Sequence, residues 1–357
     1  MKNSKSLICF VVAMFCSVAT ADSLKFKFLP GDKYSFVSVV EQNTSRVVDG
    51  NEKNSEQTTR LECDFDVEEV DDNGFVWAKY TYKRVTMKAR LEDQKLDFDS
   101  DANQTKTPLL AMPLRMAVGE GIYLRITPQG RIGKINGLQG LITNAKAKMN
   151  SFSGAGLDMV SQNIGRRFAE PAVKRELENQ LAVFPDSNGT GEIWSRKEVL
   201  SSADVSFAQV EQIDEVNIVF EKTFRLNPEK SGRDGIALVD VNLIIRPIVA
   251  PVANMQVSDQ SVATSAMASR EISGEGTGQI EIEKATGRII SNKMTQDMVE
   301  RVKFTAPSQM LRPPPGPEPI ISHTVTTFQM TKTADGKPAQ SADANEKGAP
   351  STSLRAG

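Results

Sequence analysis

Side chains able to make and break bonds are scarce in this chain of 357 residues. His323 is the only histidine, so any Ser-His-Asp or Cys-His machine would have to use it. It stands between Ser322 and Thr324 just after a Pro-rich run, a setting that suits the surface or a strand end better than a buried base. Three cysteines occur, Cys9, Cys16 and Cys63. Cys9 and Cys16 fall in the N-terminal segment expected to be removed, so the mature chain offers one cysteine and one histidine, short of the three or four N or S ligands of a zinc site, and no metal is expected. Asp97, Asp99 and Asp101 alternate like the first ligands of a calcium loop. Ala102, however, stands where that loop needs glycine and Pro108 where it needs the bidentate Glu. A solvated acidic edge is the plainer reading.

Two glycine-rich stretches and one carboxylate pair invite the same scrutiny. Gly274-Glu275-Gly276-Thr277-Gly278 lacks the Gly-Lys-Ser/Thr ending of a phosphate loop, and Ile280 and Ile282 continue it as a strand. Glycines in such a place mark a bulge or a tight bend in a curved sheet. Ser153-Gly154-Ala155-Gly156 lacks the order of a nucleophile elbow and reads as a break between helices. Glu68-Glu69 would serve glycoside hydrolysis only if two carboxyls faced each other at a defined separation. No catalytic, cofactor-binding or metal residue is therefore assigned. A hydrolase ranks last among the functions considered.

The elements that would position any site are mostly strands. Leu24, Phe26 and Phe28 alternate with lysines, and residues 61–67 alternate strictly, which puts Cys63 on an apolar strand face as a small hydrophobe. Asp71-Asp72-Asn73-Gly74 is a turn, and an aromatic-rich strand follows from Phe75 to about Val85. Thr127-Pro128-Gln129-Gly130 joins a second hairpin. Helical spacing then takes over in Leu138, Leu141, Ile142, Ala145 and Met149, and again in Leu157, Val160, Ile164 and Phe168. Pro171 suits the first turn of a further helix through Val173, Leu177 and Leu181. Strand parity returns in Val216, Ile218, Phe220, Phe224 and Leu226, and in Val239, Val241, Leu243 and Ile245. The tripeptide Gly130-Arg131-Ile132 recurs as Gly287-Arg288-Ile289, and its parallel placement late in each β region points to duplication.

These observations predict an α+β chain, mostly antiparallel β, of two similar curved β-sheet, half-barrel-like domains with a helical segment between them. The expected divisions are a first β-rich domain at 22–137, a helical segment at 138–185 and a second β-rich domain at 186–332. The second carries a Pro-rich linker at 312–319 and a last strand near Thr324–Thr331 that returns to its own sheet. Residues 333–357 have no apolar period and are expected to be a disordered tail.

Residues 1–21 form an export signal. Lys2 and Lys5 precede an apolar run from Leu7 to about Val18, which exits through Ala19-Thr20-Ala21. Cleavage is expected between Ala21 and Asp22. The run is shorter than the ~20 residues a membrane helix needs, and no transmembrane span is expected in the mature chain. Phe15 before Cys16 lacks the small residue of a lipid-attachment site. Cleavage leaves Cys63 alone. The net charge of −2 becomes −4 once Lys2 and Lys5 are lost. With both signs interspersed, nothing favours nucleic acid. The expected compartment is outside the cytoplasm, periplasmic or secreted.

Several features together resemble a known family. They are Leu24-Lys25-Phe26, Pro30-Gly31-Asp32-Lys33-Tyr34, the strand ending Val67-Glu68-Glu69-Val70, the turn Asp72-Asn73-Gly74, the Thr-x-x-Gly-Arg hairpin and Trp194. They resemble an uncharacterised bacterial family of exported proteins, domain of unknown function six-two-six-three. The resemblance spans most of the mature chain. It implies a two-part β-rich envelope or secreted protein with no assigned activity, so no functional residue or cofactor comes with it. The leading expectation is a non-catalytic protein that contacts an unknown envelope or secreted protein. The alternative is a carrier of an apolar or lipid ligand in a β half-barrel, which needs a concave apolar pocket and leaves no motif.

Overall fold

A computed structural model describes residues 24–48, 50–91, 94–102, 107–149, 157–186, 192–201, 213–214, 217–227, 235–247, 267–305 and 319–333. Residues 1–21 with the Ala21–Asp22 bond, Ser153–Gly156, Val216, the Pro-rich run to residue 318 and residues 334–357 lie outside the described residues.

The first half builds β1 (Lys33–Val48), β2 (Asn51–Val70), β3 (Val76–Leu91), β4 (Gln94–Asp99), β5 (Gly121–Ile126) and β6 (Ile132–Asn136). Between them lies a short helix, α1 (Met112–Ala117), which has Pro113 in its first turn and no periodic signal in the sequence. The helical segment resolves into α2 (Leu138–Met149), α3 (Leu157–Arg167) and α4 (Glu170–Leu181), the last with proline in its first turn as expected. The second half supplies β7 (Ile193–Ser201), β8 (Ile213–Asp214), β9 (Asn217–Leu226), β10 (Ile236–Pro247), β11 (Met267–Glu283), β12 (Ile289–Thr305) and β13 (Ile320–Lys332).

The expectation of two separate sheets needs correction. All thirteen strands belong to one sheet in the order β6-β5-β3-β2-β1-β13-β12-β11-β10-β9-β7, with β4 on β3 and β8 on β11. Every pairing is antiparallel except β8 with β11. The join is β13, which pairs β12 on one side and β1 on the other, from Tyr34 opposite Lys332 to Ser45 opposite Ile321. The physical cause is the free edge of β1. A sixteen-residue strand with one unpaired side presents a row of donors and acceptors that the last strand satisfies.

The sheet curls until its two ends are bridged. Trp194 on β7 donates to the Val183 carbonyl at 3.2 Å and stacks on Phe224 at 5.5 Å. Arg196 donates to the carbonyls of Ala182, Phe184 and Gln129. Gln129 belongs to the β5–β6 turn, so the residues after α4 tie one end of the sheet to the other. Arg131 of the same turn holds Asp186 with two hydrogen bonds, at 3.1 and 2.7 Å.

The inner face is filled at its lower end. Phe36, Phe65, Tyr80, Tyr82, Ile122 and Leu124 on strands meet Leu141, Val160, Val173 and Leu177 on helices, and Phe168 between α3 and α4, in one buried cluster. The helices thus plug the curled sheet rather than roof an empty pocket. Leu24, Phe26 and Phe28 close the bottom, where Phe26 N donates to Pro128 O at 2.9 Å and Lys27 N to Thr286 O at 2.8 Å.

That closure explains the repeated Gly-Arg-Ile. Gly130 and Gly287 both have positive φ, +82° and +69°. A Cβ on Gly130 would overlap the Leu181 carbonyl and touch the Phe26 ring; on Gly287 it would overlap the Lys25 carbonyl. Each half therefore contributes one glycine turn that grips the same N-terminal segment. The arginines that follow are both paired, Arg131 to Asp186 and Arg288 to Glu283.

Candidate functional site

The inner face changes character above the helical plug, and the change follows from strand register. Aligned across the sheet, Lys222 lies opposite Leu243, Leu243 opposite Gly276, Gly276 opposite Gln296, Gln296 opposite Thr324, Thr324 opposite Gln42, and Gln42 opposite Gln57. Arg196 faces Lys222 from β7. One step higher the row reads Phe220, Ile245, Gly274, Met298, Ser322 and Thr44. The β9–β11 side of this face is therefore apolar apart from Lys222, while β12 adds Asn292, Gln296 and the buried Glu300 to it. Ile218, Leu243, Ile245, Ile272 and Met298 form a second buried cluster with Phe220 against it, separate from the helical core. The β13–β1–β2 side carries neutral amides and hydroxyls, with Gln42 Nε2 donating to Ser322 Oγ at 3.2 Å. The opposite, outward positions carry charges such as Glu62, Asp64, Lys79, Lys83 and Lys293, unlike the apolar outer band of a membrane barrel.

Charge is concentrated where the two sides meet the end of α4. Lys222 Nζ donates to Asn179 Oδ1 at 2.6 Å. Among the described residues that amide is its one hydrogen-bond partner. Burial pulls the ammonium down to about 8, and the neighbouring Arg196 pulls the same way while Glu198 resists. Arg196 is pulled down to about 10 by burial and by repulsion from Arg131. Its terminal nitrogens are satisfied, but its Nε is buried without a partner, as are Gln180 Oε1 on α4 and Asn292 Oδ1 on β12. Burial raises the Glu198 carboxyl, outweighing the attraction of Lys222 and Arg175.

Sequence inspection missed this cluster, although its trace was present. The apolar parity of β9 runs Ile218, Phe220, Phe224, Leu226 and skips one position, and the skipped residue is Lys222. The residues singled out from sequence lie elsewhere. His323 points outward from β13 with Nδ1 2.6 Å from Asp297 Oδ1. Asp99 is bound by Arg84 at 2.6 Å, and Arg84 also reaches Asp101 at 3.6 Å. Asp99 and Asp101 therefore form an ion-paired edge with Arg84. Among the described residues no group of three potential metal ligands converges. Cys63 is buried on the inner face and burial pushes its thiol up. Glu69 lies opposite Trp77 beside a register shift at the end of β2.

The glycine stretch 274–278 occupies the interior of β11 in unbroken register with β12, so it is not the bulge expected; the irregularity of this pair falls between Glu281 and Ile282. A Cβ on Gly276 would lie 2.6 Å from Thr295 O, and one on Gly278 2.6 Å from Lys293 O. The stripe lets β12 close tightly on β11 and leaves bare backbone on the inner wall. On the outer side of the same strands a shallow polar depression of about 360 Å³ is lined by Thr277, Gln279, Glu281, Ser291, Lys293 and Thr295.

Residues 73–218 match the family of unknown function DUF6263. The DUF6263 stretch takes in β3 to β7, the Thr127–Arg131 hairpin, the four helices and Trp194, and ends on β9. It bears out the family resemblance over that stretch, which is less than half of the chain rather than most of it, and the Leu24–Tyr34 features, the strand end Val67–Val70 and Asp72 lie outside it. No curated protein matches the chain. Solved structures with some likeness include lipovitellin, in a study of its lipid–protein interactions, at 10% identity and a TM-score of 0.41. That alignment covers 88% of this chain but 27% of the lipovitellin chain. An outer membrane channel from Pseudomonas putida F1 follows at 8% identity and a TM-score of 0.17, covering 86% of this chain and 98% of the channel. OccK7 from Pseudomonas aeruginosa has 7% identity and a TM-score of 0.19, covering 85% and 100%. None superposes well enough to carry a fold or a function to this chain.

Proposed function

We propose that this chain is a non-catalytic exported binding protein whose curled sheet holds an apolar or amphiphilic ligand on its inner face, above the helical plug. The observation that carries the reading is the two-sided inner face. Apolar side chains on β9–β11 confront neutral hydrogen-bonding side chains on β13, β1 and β2. Small-molecule sites combine a concave apolar wall with a few placed polar groups. Because helices fill the lower core, the reading assigns the ligand to the region above them.

Protein contact through the outer surface is the second reading. Its support is the end strand β7, whose outward Ile193 and Val199 are 55% and 59% exposed. Native mass spectrometry of the gently purified protein separates the two. A ligand carrier retains a lipid-sized adduct that organic extraction removes, and it quenches or shifts a bound fluorescent fatty acid. A protein with neither property supports the contact reading. Export itself is tested by sequencing the N-terminus of protein recovered outside the cytoplasm, which should begin at Asp22.

A further inference from the structure

Resting on the contact reading, we infer that the partner of β7 is a second copy of this chain, whose own β7 pairs with it antiparallel and extends the sheet across a two-fold axis. Glu192 O accepts from Leu226 N, and the next pair along the β7–β9 register is Ile193 with Arg225. Backbone groups alternate sides along an antiparallel strand. Even-numbered residues of β7 therefore turn theirs to β9, and odd-numbered ones turn theirs away. Ile193, Ser195, Lys197, Val199 and Ser201 thus line the free side with N–H and C=O groups. Among the described residues no backbone group takes these up. The bonds that tie β7 to residues 182–184 come from the inward side chains of Trp194 and Arg196, not from its backbone.

The other edges are blunted where this one is not. β6 has five residues, and its Ile132 N–H donates to Glu178 Oε1 at 2.8 Å with α4 against the strand. β4 has six residues and exposes Lys95 and Asp97. β7 runs nine residues without proline or register shift and exposes Ile193 and Val199. Such an edge is a template for another strand. Self-complementarity selects a second copy. With the axis at Arg196, Ile193 of each copy lies opposite Val199 of the other, and Ser195 opposite Lys197. Both exposed apolar side chains then cover one another on the outer face. An axis at Lys197 would oppose two ammonium groups and leave Ile193 against Ser201. Arg196 of each copy is held beneath its own strand by the carbonyls of Ala182 and Phe184. Glu198 of the other copy takes the diagonal position beside it, so carboxylates flank the two guanidiniums at the axis.

Sedimentation velocity of the full chain from Asp22, over a wide concentration range, should show a reversible monomer–dimer equilibrium. Val199→Lys alters an exposed side chain, so its circular dichroism should match the parent while its dimer weakens about tenfold or more. Ser195→Pro should act the same way, because the N–H it removes faces the free side and not β9. Mixed oxidation reads the register. Ile193→Cys protein and Val199→Cys protein should form an intermolecular disulfide together and none separately, since facing Cα atoms lie within disulfide reach. Cys63 is buried and stays out of the exchange. A chain that sediments as a monomer at every concentration, a dimer that neither variant weakens, or a mixed pair that forms no disulfide overturns the proposal. A monomer that carries a lipid adduct in the mass-spectrometric test above removes the contact reading as well. A monomer without one leaves that reading with a partner other than this chain.

Discussion

At the residue scale, Lys222 is a charge whose burial on the inner face opposes folding. It stands among Phe220, Phe224 and Leu243, where a methionine would pack without penalty. Its folded value of about 8 lies below its ordinary 10.5. Between those values the unfolded chain binds more protons, so stability rises with pH across that window, and below about 8 the cost is present in full. Lys222→Met should therefore raise stability near neutral pH by on the order of 1–2 kcal/mol, partial solvent exposure trimming the full value. It should also flatten the rise between pH 8 and 10.5. Urea melts of both proteins at several pH values measure this. A variant less stable than the parent at neutral pH would show that the ammonium is a structural group.

At the element scale, turns and strand interiors place different demands on glycine. Gly287 has a positive φ and lies against the Lys25 backbone, so a side chain there is doubly opposed. Gly287→Ala should cost about 2–4 kcal/mol and release the N-terminal segment. Hydrogen exchange of the Lys27 amide, bonded to Thr286 O, reports that release directly. Gly276 has ordinary strand backbone, and the obstacle there is the β12 backbone, the Thr295 carbonyl first and Gln296 Cα behind it. Gly276→Ala should cost about 1–3 kcal/mol, by forcing the two strands apart. It should weaken amphiphile binding more than it disturbs the distant N-terminal segment, and the two variants together separate bottom closure from wall shape.

The same scale shows how far local pattern reaches. Period-2 runs located strands well, and residues 61–67 fell within β2 with Cys63 inward as read. Helical spacing located α2 to α4 for the same reason, since each buries one stripe against the sheet. Strand lengths were underestimated. The strand beginning near Phe75 runs on to Leu91, because a register shift at Lys83 switches the inward parity from Tyr80 and Tyr82 to Val85, Met87 and Ala89, which interrupts the period-2 pattern. Helix α1 was invisible because Met112–Ala117 is short and buried on nearly every side, leaving no period to detect.

At the scale of the whole molecule, a single sheet should behave as one cooperative unit. Trp77 lies on β3 and Trp194 on β7, near opposite ends of the strand order. Unfolding followed through Trp77 alone, in a Trp194→Phe protein, should coincide with far-ultraviolet circular dichroism across the urea transition. Two separated transitions would restore two independent domains and overturn the view that β13 welds the halves. Asp186 and Arg196 lie at the curled ends, and their contacts with the β5–β6 turn are what convert an open sheet into a closed bottom.

The amino-acid sequence by itself determined the strand-rich class, the inward face of each strand, the helical insert and the glycine turns. Each of these rests on neighbours a few residues apart, within the reach of backbone sterics and side-chain periodicity. It also carried the gap in β9 parity at Lys222, a mark that had no meaning while the strand stood alone. Tertiary structure decided the rest. One sheet instead of two depends on which distant strand satisfies the free edge of β1, and local pattern says nothing of pairing partners. The meeting of Lys222, Arg196 and Asn179 depends on the curl that brings the end of α4 over β7 and β9. Chemistry at this site is a property of register and curvature, which exist only after the whole sheet has closed.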